Sequence, residues 1–380
     1  MTELERATEL FSQFEAELRS ELPDGADIFD AHTHLGTDID GMVGRYEELE
    51  AMMDRYGISR CFFFCLDEPD RHPGFRAAND RTLEFGARSN GRMIPFVRLD
   101  LAESPVEEAE RCLDRGARGI KLHPRAQKFD VSDGRLAPVF ALAAERRVPI
   151  LIHGGRGLPP IADNLHRLVD AYPDAQLIIA HAGIADLSGL AAHFAGKAGV
   201  FFDTSVWSAI DLLGFFHLVP PEQILYASDF PYGSQPNSLL ISLRTARASG
   251  LSEQQVADML SGNANRIANG EPPLEPSTPQ GTGTMTQPMS LARIHQYLSM
   301  AFPLLLIRQQ DSFGALGLAL NATYESNGNA GELDRIRELL LAARDLWRTL
   351  PEAEDEDEAR RVARTTSRLI HLADILSVTS

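Results

Sequence analysis

Between residues 27 and 229 the sequence alternates, eight times over, a short apolar run with a stretch of helical spacing. The runs are 27–36, 58–66, 92–99, 118–123, 148–153, 176–181, 200–205 and 224–229, with helical stretches such as 46–56, 105–115, 136–146 and 161–171 between them. Ile58-Ser59-Arg60-Cys61-Phe62-Phe63-Phe64-Cys65-Leu66 is nearly continuous in apolar residues. A run of that kind suits a strand covered on both faces, as in a parallel sheet. Parallel neighbours each need a crossover, and eight of them close most simply into an α/β fold of the (β/α)8 TIM-barrel type, typically about 250 residues long. A doubly wound open sheet would carry a glycine-rich turn after its first strand and bind its ligand where strand order reverses. Here that turn reads His32-Thr33-His34-Leu35-Gly36, which favours the barrel.

Residues 1–22 precede the barrel as a helix whose apolar stripe is Leu4, Ala7, Phe11, Phe14 and Leu18. The barrel domain is expected over 23–270, its last helix opened by Ser252 as N-cap. Pro272, Pro273, Pro276, Pro279 and Pro288 then stand among Gly, Ser and Thr, so 271–289 reads as a linker. Beyond it, 290–380 reads as an appended all-α module with helices at 291–299, 303–320, 332–350 and 358–377. Leu333, Ile336, Leu340, Ala343 and Leu346-Trp347 form its clearest stripe. The acidic run 352–358 is expected to be a solvated connector. Apolar stripes need a partner, which a bundle packed on the barrel or on a second copy of itself would provide; a homo-oligomer held by these helices is expected ahead of a lid over the active site. On that view the barrel stands alone after truncation near residue 270.

The 36 basic and 54 acidic residues give a net charge of -18, which argues against nucleic acid or an anionic membrane as partner. Three cysteines, Cys61, Cys65 and Cys112, are too few and too odd for a disulfide framework and point to a reducing compartment. The first 22 residues lack the apolar centre of a signal peptide, and no window has the apolar length of a spanning helix. A cytoplasmic enzyme acting on a small molecule is the expectation.

In a closed βα barrel, chemistry gathers at the C-terminal ends of the strands. Strand one ends in His32-Thr33-His34, where side-chain alternation puts both imidazoles on one face and within reach of one cation. Strand three ends in Arg98-Leu99-Asp100, strand four in Lys121-Leu122-His123-Pro124, strand five in His153-Gly154-Gly155. Strand six ends in His181-Ala182-Gly183 and strand eight in Ser228-Asp229-Phe230-Pro231. Five of the eleven histidines thus sit at strand ends, with an acid on the eighth, which is what a catalytic metal site with an open position requires.

Asp30-Ala31-His32-Thr33-His34, Gly119-Ile120-Lys121-Leu122-His123-Pro124, the histidines of strands five and six, Ser228-Asp229-Phe230-Pro231 and Asn263-Ala264-Asn265-Arg266-Ile267 together resemble the amidohydrolase superfamily. The branch resembled is that of the amidohydrolase-related, metal-dependent TIM-barrel hydrolases and decarboxylases. The resemblance covers about residues 25–270 and leaves 285–380 unmatched. It implies that His32, His34, His153 and Asp229 ligate one divalent metal, zinc first and Mn²⁺ or another divalent ion as alternatives. It further implies that Asp229 takes a proton from the attacking water, and that His181 stands beside that water as acid, base or polarising group. In binuclear relatives a carboxylated lysine at the place of Lys121 bridges two metals. A lysine paired with an acid or with a substrate carboxylate is the favoured reading here. Arg98 suits a bidentate grip on a substrate carboxylate or a structural ion pair, and His123 a substrate contact. Trp207 and Tyr232 shape the pocket or its rim. The expected activity is hydrolysis of an amide, lactone or ester of a small, carboxylate-bearing molecule. The alternative is non-oxidative decarboxylation of the aminocarboxymuconate-semialdehyde or resorcylate type, and a non-catalytic barrel scaffold is the third reading.

Overall fold

The structure, a computed structural model, describes residues 2–281, 286–306, 312–325 and 330–380. Its strands are β1 Ile28–Thr37, β2 Val43–Gly44, β3 Ile58–Cys65, β4 Met93–Arg98 and β5 Gly119–Leu122, then β6 Ile150–Ile152, β7 Leu177–Ile179, β8 Val200–Asp203 and β9 Ile224–Leu225. They form one nine-stranded sheet in the order β2-β1-β3-β4-β5-β6-β7-β8-β9. Every expected run contains a strand. Among the described residues only β2 is new, a two-residue antiparallel partner of the end of β1. All other pairings are parallel, and helices lie between consecutive strands.

The sheet curls until its two edges meet. Beyond β9 the backbone runs back along β1: Ala31 N–H donates to Tyr226 O (2.9 Å), Asp229 N–H to His32 O (2.9 Å) and His34 N–H to Phe230 O (2.7 Å). The segment 226–230 is therefore paired along β1 although it lies outside a named strand.

Alternation sorts the side chains of this sheet onto two faces. Phe29, Ala31, Phe62, Phe64, Phe96, Leu151, Ile178, Phe201 and Leu225 belong to one buried cluster inside the curl. Continuing those inward rows by twos leads to Arg98, to His153, to Asp203 and to Asp229. Gly119 stands on the inward row of β5 because a Cβ there would lie 2.6 Å from the Phe96 ring; Lys121 and His123 follow it. A second, larger cluster joins the outward face to the helices.

The N-terminal helix, Glu3–Glu21, is set by a capping box at Thr2. The closing helical stretch comprises Glu253–Ala257, a π turn Asp258–Gly262 and Asn263–Asn269. In the C-terminal region the helices are Met289–Leu306, Ser312–Ala322, Ala330–Arg348 and Glu356–Thr379. The first of them runs past the break expected near residue 299, and 307–311 lie outside the described residues. The acidic run does more than bridge two helices. Asp355 caps the last one, accepting from Glu358 N–H (2.7 Å), and its acids sit at the positive end of the helix dipole. The stripe Leu333, Ile336, Leu340, Ala343, Leu346 and Trp347 is buried within the chain itself. Ala330–Arg348 packs on the N-terminal helix, and Glu356–Thr379 on the helices Ala209–Leu218 and Gln235–Ala248. Among the described residues no helix is long and apolar enough to cross a membrane.

Candidate metal centre

His32 and His34 reach the interior through an irregularity in β1. Asp30 pairs with Cys61 and Thr33 with Phe63, so three steps on β1 face two on β3. The extra residue turns His32 and His34 onto the face that Phe29 and Ala31 occupy one step lower, the usual effect of a bulge beside a functional site. Asp30 fixes the edge opposite. Its carboxylate, fully buried, accepts from Ser228 N–H (2.9 Å), Ser228 Oγ (2.6 Å) and Gln235 Nε2 (3.0 Å). Burial pushes its carboxyl up to about 6 against those hydrogen bonds. Asp229, next to Ser228, adopts φ +58, a left-handed backbone rare outside glycine and typical of over-determined sites.

The result is a triangle of three donor atoms. His32 Nε2 lies 3.1 Å from His34 Nε2 and 3.4 Å from Asp229 Oδ1, and His34 Nε2 lies 3.2 Å from that same oxygen. Ligands about 2.0–2.1 Å from a tetrahedral zinc stand about 3.3 Å apart, so the triangle has the right size for one divalent cation. Both rings are in the form a cation needs. Burial holds His34 down at about 3 and drives His32 well below the usual histidine range, which leaves neutral imidazoles at neutral pH. His32 Nδ1 lies 2.8 Å from Asp203 Oδ2, the carboxylate contact that commonly backs a ligating histidine.

His153 stands outside the triangle. Its ring stacks on His123 (centroids 4.0 Å) and meets His181 edge-on (4.7 Å), and its buried Nε2 has no hydrogen-bond partner among the described residues. Gly155 makes room for this pair, since a Cβ there would lie 2.9 Å from atoms of both rings. By alternation from Ile178 and Ala180, His181 would fall on the outward row; a left-handed step, φ +58 followed by +53 at Ala182, accompanies its turn towards the site. With His32 and Asp203 it forms a second group of ligand-type atoms all within 4.8 Å of one another. His123 caps a short helix, its Nδ1 accepting from Ala126 N–H (3.2 Å).

Two cations lie at the bottom of the site. Lys121 Nζ is 3.4 Å from His32 Nε2 and 4.5 Å from the Phe64 ring centre. Burial pulls its ammonium down to about 7, while Asp229 and Asp203 oppose the shift. Arg98, paired in register with Lys121, is 2 % exposed. A cleft of about 210 Å³ opens beyond it, lined by Asp67, Arg71, His72, Phe75, Asp100 and Lys128. On the other rim Tyr232 lies against His34 (5.9 Å) and donates to Asp38 Oδ2 (2.9 Å). Trp207 stacks on His371 of the last helix (4.7 Å).

Sequence reasoning passed over Asp203, Ser205 and Asp30. Asp203 closes the seventh apolar run as the other candidates close theirs, so strand position alone marks it.

A family model described as amidohydrolase matches residues 29–267. No curated protein matches the chain. Among solved structures, a probable 2-pyrone-4,6-dicarboxylic acid hydrolase from Acinetobacter baumannii, determined with citric acid bound, is similar at a TM-score of 0.50 and 10% identity, over 64% of this chain and 99% of that one. An amidohydrolase from Burkholderia multivorans with bound zinc is similar at 0.50 and 15%, over 64% and 99%. A 2-pyrone-4,6-dicarboxylic acid hydrolase assignment also heads the Pseudomonas putida structure, at 0.50 and 16%, over 64% and 98%. At such identities the likeness speaks for the fold.

Proposed function

The chain belongs to the amidohydrolase family, and from that premise we propose that it is a metal-dependent hydrolase of a small, carboxylate-bearing amide, lactone or ester. The fold is read as a (β/α)8 barrel, supported by the hydrogen bonds between β1 and residues 226–230. The observation that carries the functional reading is the triangle of His32 Nε2, His34 Nε2 and Asp229 Oδ1. A divalent ion held there, zinc in the first instance, supplies Lewis acidity towards a carbonyl and acidifies water.

The protein's own groups do the rest. Asp229 turns Oδ1 to the histidines, which leaves Oδ2 to take a proton from the attacking water. His181 stands one ring from both His32 (5.1 Å) and His153, placed to take that proton on from Asp229 and hand it to the leaving group. Arg98 brings a full positive charge near the site and Lys121, pulled down to about 7, a partial one, within a chain of net charge -18, which favours an anionic substrate. Phe64 packs against both His32 (5.1 Å) and His34 (4.4 Å) and holds the two rings in place. The citric acid named in one similar structure and the zinc named in another agree with this reading.

Zinc content of the purified chain tests it. The parent should carry about one equivalent per chain, and the double variant His32→Ala, His34→Ala should fold and carry almost none. Retention of that equivalent would remove the basis of the proposal. Incubation with lactones and with hydroxybenzoates then separates acid release from CO₂ release, and CO₂ alone would mark a decarboxylase.

A further inference from the structure

We infer that Asp203 is the positioning residue that fixes which ring nitrogen carries the proton in both His32 and His181. The inference rests on the reading of His32 as a ligand and His181 as the proton carrier, and it deepens that reading.

The argument is an account of donors and acceptors. Asp203 ends β8 with no exposed surface. Its Oδ1 accepts from His181 N–H (2.8 Å), Ser205 N–H (3.1 Å) and Ser205 Oγ (2.5 Å), and its Oδ2 faces His32 Nδ1 at 2.8 Å. A carboxylate only accepts. His32 Nδ1 must therefore be the protonated nitrogen, which leaves the lone pair of Nε2 for the triangle. The single hydroxyl proton of Ser205 is committed to Asp203, because two oxygens 2.5 Å apart need a proton between them. At His181 the serine can then present only lone pairs. Its Oγ and its carbonyl oxygen both lie 2.9 Å from His181 Nδ1. Two acceptors against one nitrogen make that nitrogen the donor. His181 Nε2 is left unprotonated in the neutral ring and free to take a proton in the site.

One carboxylate thus sets a histidine of β1 directly and the histidine after β7 through a serine. Asparagine at 203 separates the two effects. Its carbonyl oxygen must take the Oδ1 place, since three donors converge there, so its NH₂ faces His32 Nδ1. His32 should then move its proton to Nε2, inside the triangle, while His181 keeps its own.

The test is long-range ¹H–¹⁵N correlation of imidazole nitrogens in the full, metal-free chain, joined to titration with Zn²⁺ alone. The parent should show both rings protonated at Nδ1. Asp203→Asn should show His32 protonated at Nε2, His181 unchanged, and Zn²⁺ affinity about 10- to 100-fold weaker. Asp203→Ala should in addition give a mixture of tautomers at His181, because Ser205 is released to donate to it. Should that variant not fold, the asparagine variant decides by itself. His32 still protonated at Nδ1 in Asp203→Asn, or Zn²⁺ affinity within twofold of the parent, overturns the inference. So does a drop in Zn²⁺ stoichiometry with tautomers unchanged, which would make Asp203 a ligand. A parent that binds no Zn²⁺ would remove the metal reading and leave the tautomer result to stand on its own.

Discussion

Arg98 carries a guanidinium into the interior with almost nothing to pair it. Among the described residues its Nε and Nη2 have no hydrogen-bond partner, Nη1 reaches Cys65 O at 3.4 Å, and the Asp67 carboxylate is 3.9 Å away. The Phe75 ring at 4.9 Å offers a modest cation–π contact. A buried charge in that state costs several kcal/mol, and an anion seated beside it would recover the cost. Arg98→Met, similar in length, should therefore raise the melting temperature by roughly 2–4 °C. Citrate at millimolar concentration should stabilise the parent and leave the variant unmoved. A thermal-shift series checks both, and equal citrate responses would return Arg98 to a structural role. That an arginine ends the third apolar run is plain in the sequence; that it holds only a long ion pair is not, because pairing depends on where Asp67 and Phe75 come to rest after β3.

At the scale of the element, apolar runs of six to ten residues mark where the strands fall, because parallel strands are covered on both faces. What they do not mark is the extra residue in β1. Phe29 and Ala31 share a face with each other, and plain alternation would send His32 and His34 to the opposite one. The bulge corrects this, and Asp30-Ala31-His32-Thr33 has no glycine or other signature to announce it. The left-handed steps at His181 and Asp229 are equally silent, since neither position is a glycine. Gly155 is the reverse case, a visible residue whose reason is spatial. Gly155→Ala should push the His153 and His181 rings apart while the fold persists, because the added Cβ meets only those two side chains within 3.1 Å. We expect altered ring-proton shifts at both histidines with a melting temperature within about 3 °C of the parent, a change near 1 kcal/mol. Unchanged histidine spectra would show that the rings do not depend on the gap.

At the scale of the molecule, the C-terminal helices are part of the same body as the sheet. His371 donates through Nε2 to Trp207 O (2.9 Å), and Arg364, two turns earlier, donates to Val43 O (3.0 Å) in β2. One face of the last helix thereby touches the loops after β8 and β1. Burial lowers His371 to about 4, with Asp374 on its own helix opposing and itself paired to His295 of a neighbouring helix. A histidine kept neutral by the fold but free to protonate when unfolded binds fewer protons in the native state between pH 6.5 and 4. Its contribution is whole above pH 6.5 and fades as the pH falls through that window. Between pH 7.5 and 5 this amounts to about 2 kcal/mol. His371→Gln, which keeps a donor for Trp207, should lose correspondingly less stability over that interval by urea unfolding. A slope equal to the parent's would exonerate His371.

The sequence suggested a barrel able to stand without these helices, and the packing argues otherwise. Phe11, Phe14 and Leu18 of the N-terminal helix line one small cavity with Leu240, Arg368 and Leu372, so the N-terminal helix, the helix Gln235–Ala248 and the last helix share an interface. Glu17 pairs with Arg335 and Arg244 across the same seam. Truncation at residue 288 should yield aggregated protein by light scattering; a soluble fragment with the parent's melting temperature would restore the independent barrel. This seam also orders events in time. The helix Glu3–Glu21 is made before its cover, part of which is encoded roughly 300 residues later. At about 5–20 residues per second that is a wait on the order of 15–60 s, during which a phenylalanine-bearing face rides the ribosome uncovered and falls to the cell's chaperones to shield.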